Sequence, residues 1–322
     1  MANIKDIAKA ANVSVTTVSN VLNGKANVGP ETREKILSLC REMDYHPNIM
    51  ARNLKSGKTN TAMFCFSDFE RSFYLKIING INDCLHEHHI GMIICTHSAI
   101  NSFLRNGFVD GAIVLDKSIN DRQILDAASQ DMNLVVMDRI LDSPKVSSVV
   151  TDNRASMEEL TKRLVQKGYR RFNYLGGIEN TPDHVERYEA FKAVLKTNRI
   201  AFTPDNYYQG DYSVQSGIRA GNIMAMGGNL PDVVVCANDN MAAGVVQAFR
   251  EFDVDVPKRV AVSGFDGDHM SELPDGYLTT AAIPRYEMGY LAAETLVKMM
   301  NEGMPAMERK IKAPVVWGRS TR

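Results

Sequence analysis

The sequence predicts a multidomain chain, with a small all-α head followed by an α/β body of two doubly wound lobes built on parallel sheets. Three observations predict it. The 322 residues exceed one ordinary domain, and 44% of them are hydrophobic, enough to bury a large core. The first 46 residues carry only short helical periodicities. Beyond residue 60, continuous apolar runs alternate with helical stretches, the pattern of parallel strands covered by helices on both faces.

In the head, Ile4, Ile7, Ala8 and Ala11 recur at i, i+3, i+4 and i+7 behind a cap at Asn3. Asn12 and Val13 make a turn, Ser14 caps, and Val15 to Leu22 form a second helix with Val18, Val21 and Leu22 inward. A third helix begins near Pro30, a residue suited to the first helical turn, and buries Ile36, Leu39, Cys40 and Met43. This head ends at residue 46, and residues 47–60 form a short helical stretch and the polar linker Ser56-Gly57-Lys58-Thr59-Asn60. Residues 61–322 are the body. Its strand-like runs are Thr61 to Phe66, Gly91 to Thr96, Gly111 to Leu115, Leu134 to Met137, Phe172 to Leu175, Val233 to Ala237 and Val260 to Phe265. So many βα units favour two sheets over one, and ligands of such sheets bind outside the carboxyl ends of the strands.

The net charge of −1 argues neither for nor against a nucleic-acid partner, but its distribution does. Up to Asn60 there are nine basic and five acidic residues, so a basic head sits on an acidic body. That suits a polyanion contacted at one end, where neutralised phosphates release counterions. The five cysteines are scattered and read as buried thiols, not as a disulfide or zinc framework. Met1 is followed by polar Asn3, Lys5 and Asp6, and no apolar run reaches the length of a signal peptide or a membrane span. A cytoplasmic protein without a membrane partner is expected.

Two helices joined by the tight turn Asn12-Val13-Ser14 match the helix-turn-helix, whose second helix enters the major groove of duplex DNA. The outward residues Val15, Thr16, Ser19 and Asn20 are short or polar, with no acid to repel phosphate. Ser14 and Thr17 stand where free backbone N–H groups and the helix dipole favour an anion. An ordinary surface helix is the alternative at this point.

The run Val13-Ser-Val-Thr-Thr-Val-Ser-Asn-Val-Leu-Asn23 and the run Pro47-Asn-Ile-Met-Ala-Arg-Asn-Leu-Lys55 resemble the lactose-repressor (LacI/GalR) family. Ala237-Asn-Asp-Asn-Met-Ala-Ala-Gly244, Val262-Ser-Gly-Phe-Asp266 and Leu278-Thr-Thr280 extend the resemblance through the body. It implies a transcriptional regulator, expected to be a repressor, that binds a near-palindromic double-stranded operator as a homodimer. It also implies a body of the periplasmic-binding-protein type, with a cleft between its lobes, a small effector in the cleft and three crossing segments as hinge. The DNA-binding positions it implies are Ser14, Val15, Thr16, Thr17, Asn20, Asn23, Leu54 and Lys55, with Leu54 wedging into the minor groove. Asn20 can bond adenine in bidentate fashion, and Val15 can touch a thymine methyl.

The implied effector contacts are Phe73, Tyr74, Asp138, Asp152, Arg187, Tyr212, Asn238 and Asp266. An Arg with several Asp or Asn groups and an aromatic platform suits a sugar or sugar phosphate. Taken singly, Asp266 could cap a helix, Tyr212 could be core and Arg187 could pair with Glu186 or Glu189. The chain departs from the family at Gly29, where a serine cap is commoner, and at Glu70-Arg71, where Ser-Asn is common. The segment from Thr96 to Gly107 is also shortened, which could alter the allosteric response. Some relatives answer to a protein partner on the body surface, which is the alternative mode of control.

Enzymatic readings fail on the motifs. Gly176-Gly177 and Gly227-Gly228 form neither a G-x-G-x-x-G fingerprint nor a P-loop, and no nucleophile-base or metal cluster is spaced convincingly. His86, His88 and His89 cluster at a helix end, where solvent is the expected partner rather than a metal. No cofactor is expected.

Overall fold

The computed structural model describes residues 2–46, 57–67, 73–96, 107–268 and 273–322. The chain divides into two compact units, Met1–Thr59 and Asn60–Arg322.

The first unit holds α1 (Ile4–Ala11), α2 (Val15–Leu22) and α3 (Pro30–Glu42). Asn3 and Asp6 form a reciprocal capping box at α1, so two otherwise orphaned N–H groups are satisfied before the first turn closes. Gly29 precedes α3 without a side-chain cap, and Pro30 fixes its first turn. Ile7, Ala8, Ala11, Val18, Val21, Ile36 and Cys40 form the core, with Leu39 and Met43 half-buried at its edge.

The second unit contains two six-stranded sheets. The first joins β1 (Thr61–Phe66), β2 (Gly91–Thr96), β3 (Gly111–Leu115), β4 (Asn133–Val136), β5 (Val146–Thr151) and β11 (Glu308–Ile311) in the order β11-β5-β4-β3-β1-β2. The second joins β6 (Phe172–Gly176), β7 (Tyr207–Gln209), β8 (Val233–Cys236), β9 (Ala261–Asp266), β10 (Thr279–Ala282) and β12 (Val315–Val316) in the order β12-β10-β9-β8-β6-β7. All pairings are parallel except that of β10 with β12. Both sheets reverse direction beside their first strand, between β1 and β3 in one and between β6 and β8 in the other. Such switch points open the crevice in which doubly wound sheets hold ligands.

The described helices of the body are α4 (Phe73–Glu87), α5 (Asp121–Ser129), α6 (Asn153–Gln166), α7 (Pro182–Thr197), α8 (Val214–Gly227), α9 (Asp239–Glu251) and α10 (Arg285–Glu302). The chain passes between the lobes after β5, after β10 and after β11. Backbone bonds tie these crossings together: Asp152 N–H donates to Ile311 O at 2.8 Å, and Ala282 N–H to Pro314 O at 2.9 Å.

Five strands escaped the apolar-run reading, for physical reasons. β5 carries Ser147 and Ser148, buried but polar, and Ser147 Oγ accepts the Met307 N–H at 3.1 Å. β11 is the charged edge Glu-Arg-Lys-Ile, β10 is Thr-Thr-Ala-Ala, and β7 and β12 are only three and two residues long. All five cysteines are free and buried.

Candidate functional site

The first candidate surface is α2. Asn12 adopts the left-handed conformation at φ 59° and Val13 N–H returns to Ala8 O at 3.0 Å, which makes the tight turn before α2. Ser14 Oγ accepts the Thr17 N–H at 3.0 Å and lies 2.9 Å from the Thr17 hydroxyl, so both hydroxyls are held at the helix start. Val15 is 40% exposed, Thr16 is exposed, and Ser19 and Asn20 are half-buried on the same side. Asn23 closes the helix by donating from Nδ2 to Ser19 Oγ at 3.2 Å. Burying Val18 and Val21 fixes which side of this two-turn helix stays outward. Its first turn carries no acid. Leu54 and Lys55 lie outside the described residues.

The second site is assembled around Arg187, which is 5% exposed on α7. Its Nε donates to Asn153 Oδ1 at 2.8 Å and its Nη1 to Ala237 O at 2.6 Å, while Nη1 lies 3.3 Å from Asp266 Oδ1. The guanidinium also stacks 3.7 Å over the Phe265 ring. The partners come from the carboxyl ends of β8 and β9 and the start of α6, beside the switch point of the second sheet. Asn238 continues the network: Oδ1 caps α9 by accepting the Met241 N–H, and Nδ2 donates to Tyr212 O at 3.1 Å. Gly177 leaves room for the Tyr212 ring, since a Cβ there would lie 2.0 Å from Tyr212 Cζ. Asp266 holds a positive φ of 103°, a conformation costing about 1–3 kcal/mol that local packing must impose. Burial pushes the Asp266 carboxyl up to about 6, against the pull of Arg187.

On the first lobe, Asp138 follows β4 with its side chain 5% exposed and its Oδ2 3.5 Å from Arg139 Nη1. Burial raises its pKa, and Arg139 opposes the rise. Tyr74 and Asp152 do other work. The Tyr74 ring packs 4.7 Å from Phe66 in the core, with its hydroxyl 2.8 Å from Ser67 Oγ. Asp152 Oδ1 caps α6 by accepting the Ala155 N–H at 2.9 Å. The side chain of Phe73, like Glu70-Arg71 and residues 97–106, lies outside the described residues.

The sequence reading missed Asn153, Asp183 and Lys117. Asn153 Nδ2 donates to Asp183 Oδ1 at 3.0 Å, and Lys117 of the first lobe reaches Asp183 Oδ2 at 3.1 Å. Burial works to raise the Asp183 carboxyl, but Arg187 and Lys117 together hold it below its ordinary range. Exposed ion pairs such as Lys117–Asp183 contribute little stability, so this one marks where the lobes face each other without locking them.

Asp239 ties the run Asn238-Asp-Asn240 to the run Ser263-Gly-Phe-Asp266. Its Oδ1 accepts from Thr280 Oγ1 at 2.7 Å, its Oδ2 accepts from Asp268 N–H at 2.8 Å, and a Cβ on Gly264 would lie 2.0 Å from Oδ1. Burial, reinforced by Asp266, pushes this carboxyl up to about 8. A raised pKa means that the fold prefers the protonated acid. The favourable contribution is complete below the ordinary carboxylate pKa and is lost as pH rises through about 8, at roughly 1.4 kcal/mol per unit of pKa difference. Asp239→Asn keeps an amide oxygen to accept the Asp268 N–H and cannot ionise, so the variant should gain thermal stability over the parent as pH rises from 5 to about 8. Unfolding curves across that range check it, and a constant offset between the two proteins would show that Asp239 does not titrate there.

His86, His88 and His89 are all exposed. Among the described residues no group of His, Cys, Asp or Glu could hold a metal ion, and no helix is long and apolar enough to cross a membrane.

The profile of bacterial regulatory proteins of the lacI family matches residues 3–48, and that of the periplasmic binding protein-like domain matches residues 161–321. The HTH-type transcriptional regulator RegA of Clostridium saccharobutylicum is 30% identical over 310 residues, 93% of each chain. The solved complex of the transcriptional regulator CelR with cellobiose superposes with a TM-score of 0.69 at 26% identity, covering 99% of this chain and 100% of that one. The Lac repressor dimer bound to operator and the anti-inducer ONPF gives a TM-score of 0.80 over 99% of both chains, and at 21% identity it speaks for the fold.

Proposed function

The chain belongs to the lacI family of bacterial regulatory proteins and is a transcriptional regulator; from that premise we propose that it represses its targets as a homodimer on a near-palindromic operator, released or recruited by a sugar-like effector held between the lobes of the body. The observation that carries the effector reading is the Arg187 network. A buried guanidinium, two Asn side chains and Asp266 converge at the switch point of the second sheet, where a doubly wound fold receives its ligand. CelR with cellobiose, of similar sequence throughout, supports a carbohydrate in that place. Binding across the crevice would favour one lobe arrangement, and the three crossings carry that preference toward the paired heads. A protein that works on operator DNA would act in the cytoplasm.

Sequence readout would rest on Asn20, with Val15 and Thr16 beside it and the hydroxyls of Ser14 and Thr17 near phosphate. Asn20→Ala should relax base preference at one operator position by about 1–3 kcal/mol, the discrimination of one bidentate contact. Binding-site selection with parent and variant measures this. An unchanged consensus would remove Asn20 from base recognition.

A further inference from the structure

The first lobe carries two carboxylates that the effector reading leaves unused in part. Val114 and Val136 are register partners on β3 and β4, and Asp116 and Asp138 stand two residues beyond them. Both stand just past the carboxyl edge of adjacent strands, near enough for the charge of Asp116 to oppose ionisation of Asp138. Asp116 is 2% exposed, and the Asp138 side chain 5%. Asp116 Oδ1 accepts from Ser118 N–H at 2.9 Å and from its hydroxyl at 2.6 Å, but Asp116 Oδ2 has no hydrogen-bond partner among the described residues. Asp138 Oδ1 is in the same position. Two buried acceptors without donors, side by side, are costly unless something donates to them. The turn that bears Asp116 faces the second lobe, because the next residue, Lys117, reaches Asp183 there at 3.1 Å.

The surrounding cations are already engaged. Each already faces a carboxylate: Arg139 lies 3.0 Å from Asp121 and 3.5 Å from Asp138, Lys117 pairs with Asp183, and Arg187 with Asp266. A phosphate or carboxylate placed against Asp116 and Asp138 would therefore meet like charge. A ligand hydroxyl pair or an ammonium would meet two waiting acceptors.

We propose that Asp116 and Asp138 are a donor-reading pair: they select an effector whose first-lobe end offers a hydroxyl pair or an ammonium group and bears no anion. This rests on the effector lying between the lobes. It narrows the ligand class to neutral or amino sugars and excludes sugar phosphates and uronates. It also makes Asp116 a specificity determinant. In Asp116→Asn the amide oxygen keeps the two Ser118 bonds, so the NH2 group takes the place of Oδ2 and confronts the ligand donor.

The test uses the full chain, with calorimetry and thermal shift against glucose, cellobiose, ribose, glucosamine, glucose 6-phosphate and galacturonate. A neutral or amino probe should bind, the two anionic probes should not, and Asp116→Asn should weaken the bound probe at least tenfold. Glucosamine against glucose separates an ammonium from a hydroxyl as the preferred donor. Tightest binding by glucose 6-phosphate or galacturonate, lost in Arg187→Ala, would overturn the donor pair while the interlobe site stands. Binding of a neutral probe that Arg187→Ala weakens and Asp116→Asn leaves unchanged would do the same. No binding by any probe, or binding indifferent to both substitutions, would overturn both.

Discussion

Arg187→Ala is expected to be the most damaging single change in the effector site, in stability and in ligand response together. The side chain is buried and makes two hydrogen bonds, one ion pair and one stacking contact, and its removal strands the Asp266 carboxyl in a poorly solvated place. Breaking a buried pair by deleting one partner costs about 3–5 kcal/mol. For a body of this size that lowers the midpoint of thermal unfolding by about 10 °C. The cost should depend on pH. Without Arg187 the Asp266 carboxyl, already up at about 6, rises further, so protonation relieves the stranded charge more fully at pH 5 than at pH 8. Effector affinity should fall about 10- to 100-fold, the worth of a charge-assisted hydrogen bond of ~1.5–3 kcal/mol. Arg187→Lys should not rescue it, since an ammonium cannot serve Asn153, Ala237 and Asp266 in one plane while stacking on Phe265. Calorimetry and thermal unfolding at both pH values decide the matter, and an unfolding midpoint within a degree of the parent at pH 8 would refute the buried-pair account.

Gly289→Val should disrupt the first lobe. A Cβ at Gly289 would lie 2.2 Å from Ile77 O, and one at Gly80 would lie 2.0 Å from Tyr286 O, so α4 and α10 cross with their backbones in contact. Tyr286 and Tyr290 fasten the same crossing, donating to Asp83 Oδ2 at 2.9 Å and Glu87 Oε2 at 2.6 Å. Backbone on both sides cannot yield as a flexible side chain would. The helices must separate, and the cost should reach or exceed the upper end of the ~1–3 kcal/mol typical of overpacking. Gly227→Ala is the matched comparison, because nothing lies within 4 Å of its Cβ position. That change should be neutral or stabilise by up to about 1 kcal/mol, as alanine in a helix outperforms glycine. Urea unfolding of the two variants measures the difference, and equal midpoints would mean that the crossing tolerates a side chain.

How far the site could be read in advance differs from residue to residue. The family resemblance implies Arg187, Asn238 and Asp266; Asp266 lies 3.3 Å from the guanidinium, and Asn238 adjoins Ala237, whose carbonyl the guanidinium bonds. Tyr74 was named with them, yet no periodicity tells an aromatic that lines a crevice from one that packs under β1, and its ring packs on Phe66. Asp152 was named while its neighbour Asn153 was not. One residue of register at a helix start decides that Asp152 caps the helix and Asn153 reaches Arg187. Asp116 gave no signal, since an acid after an apolar strand reads as an ordinary turn.

The sequence by itself determined the elements and their class, because helix caps, apolar periodicity and the length of apolar runs are local properties of the chain. The caps at Asn3 and Ser14, the boundaries of α2 and the long apolar strands all follow from neighbours within a few residues. Only the tertiary structure decided which residues meet. Residues 153, 187, 237 and 266 converge because the order β9-β8-β6 sets three strand ends beside one another, and that order is a choice among packings of elements that look alike locally. The same holds for Asp116 and Asp138, whose adjacency depends on β3 lying beside β4, and for the glycines that let α4 and α10 touch. Strand order and helix crossing are settled by burying one continuous core, a property of the whole chain that no local window contains.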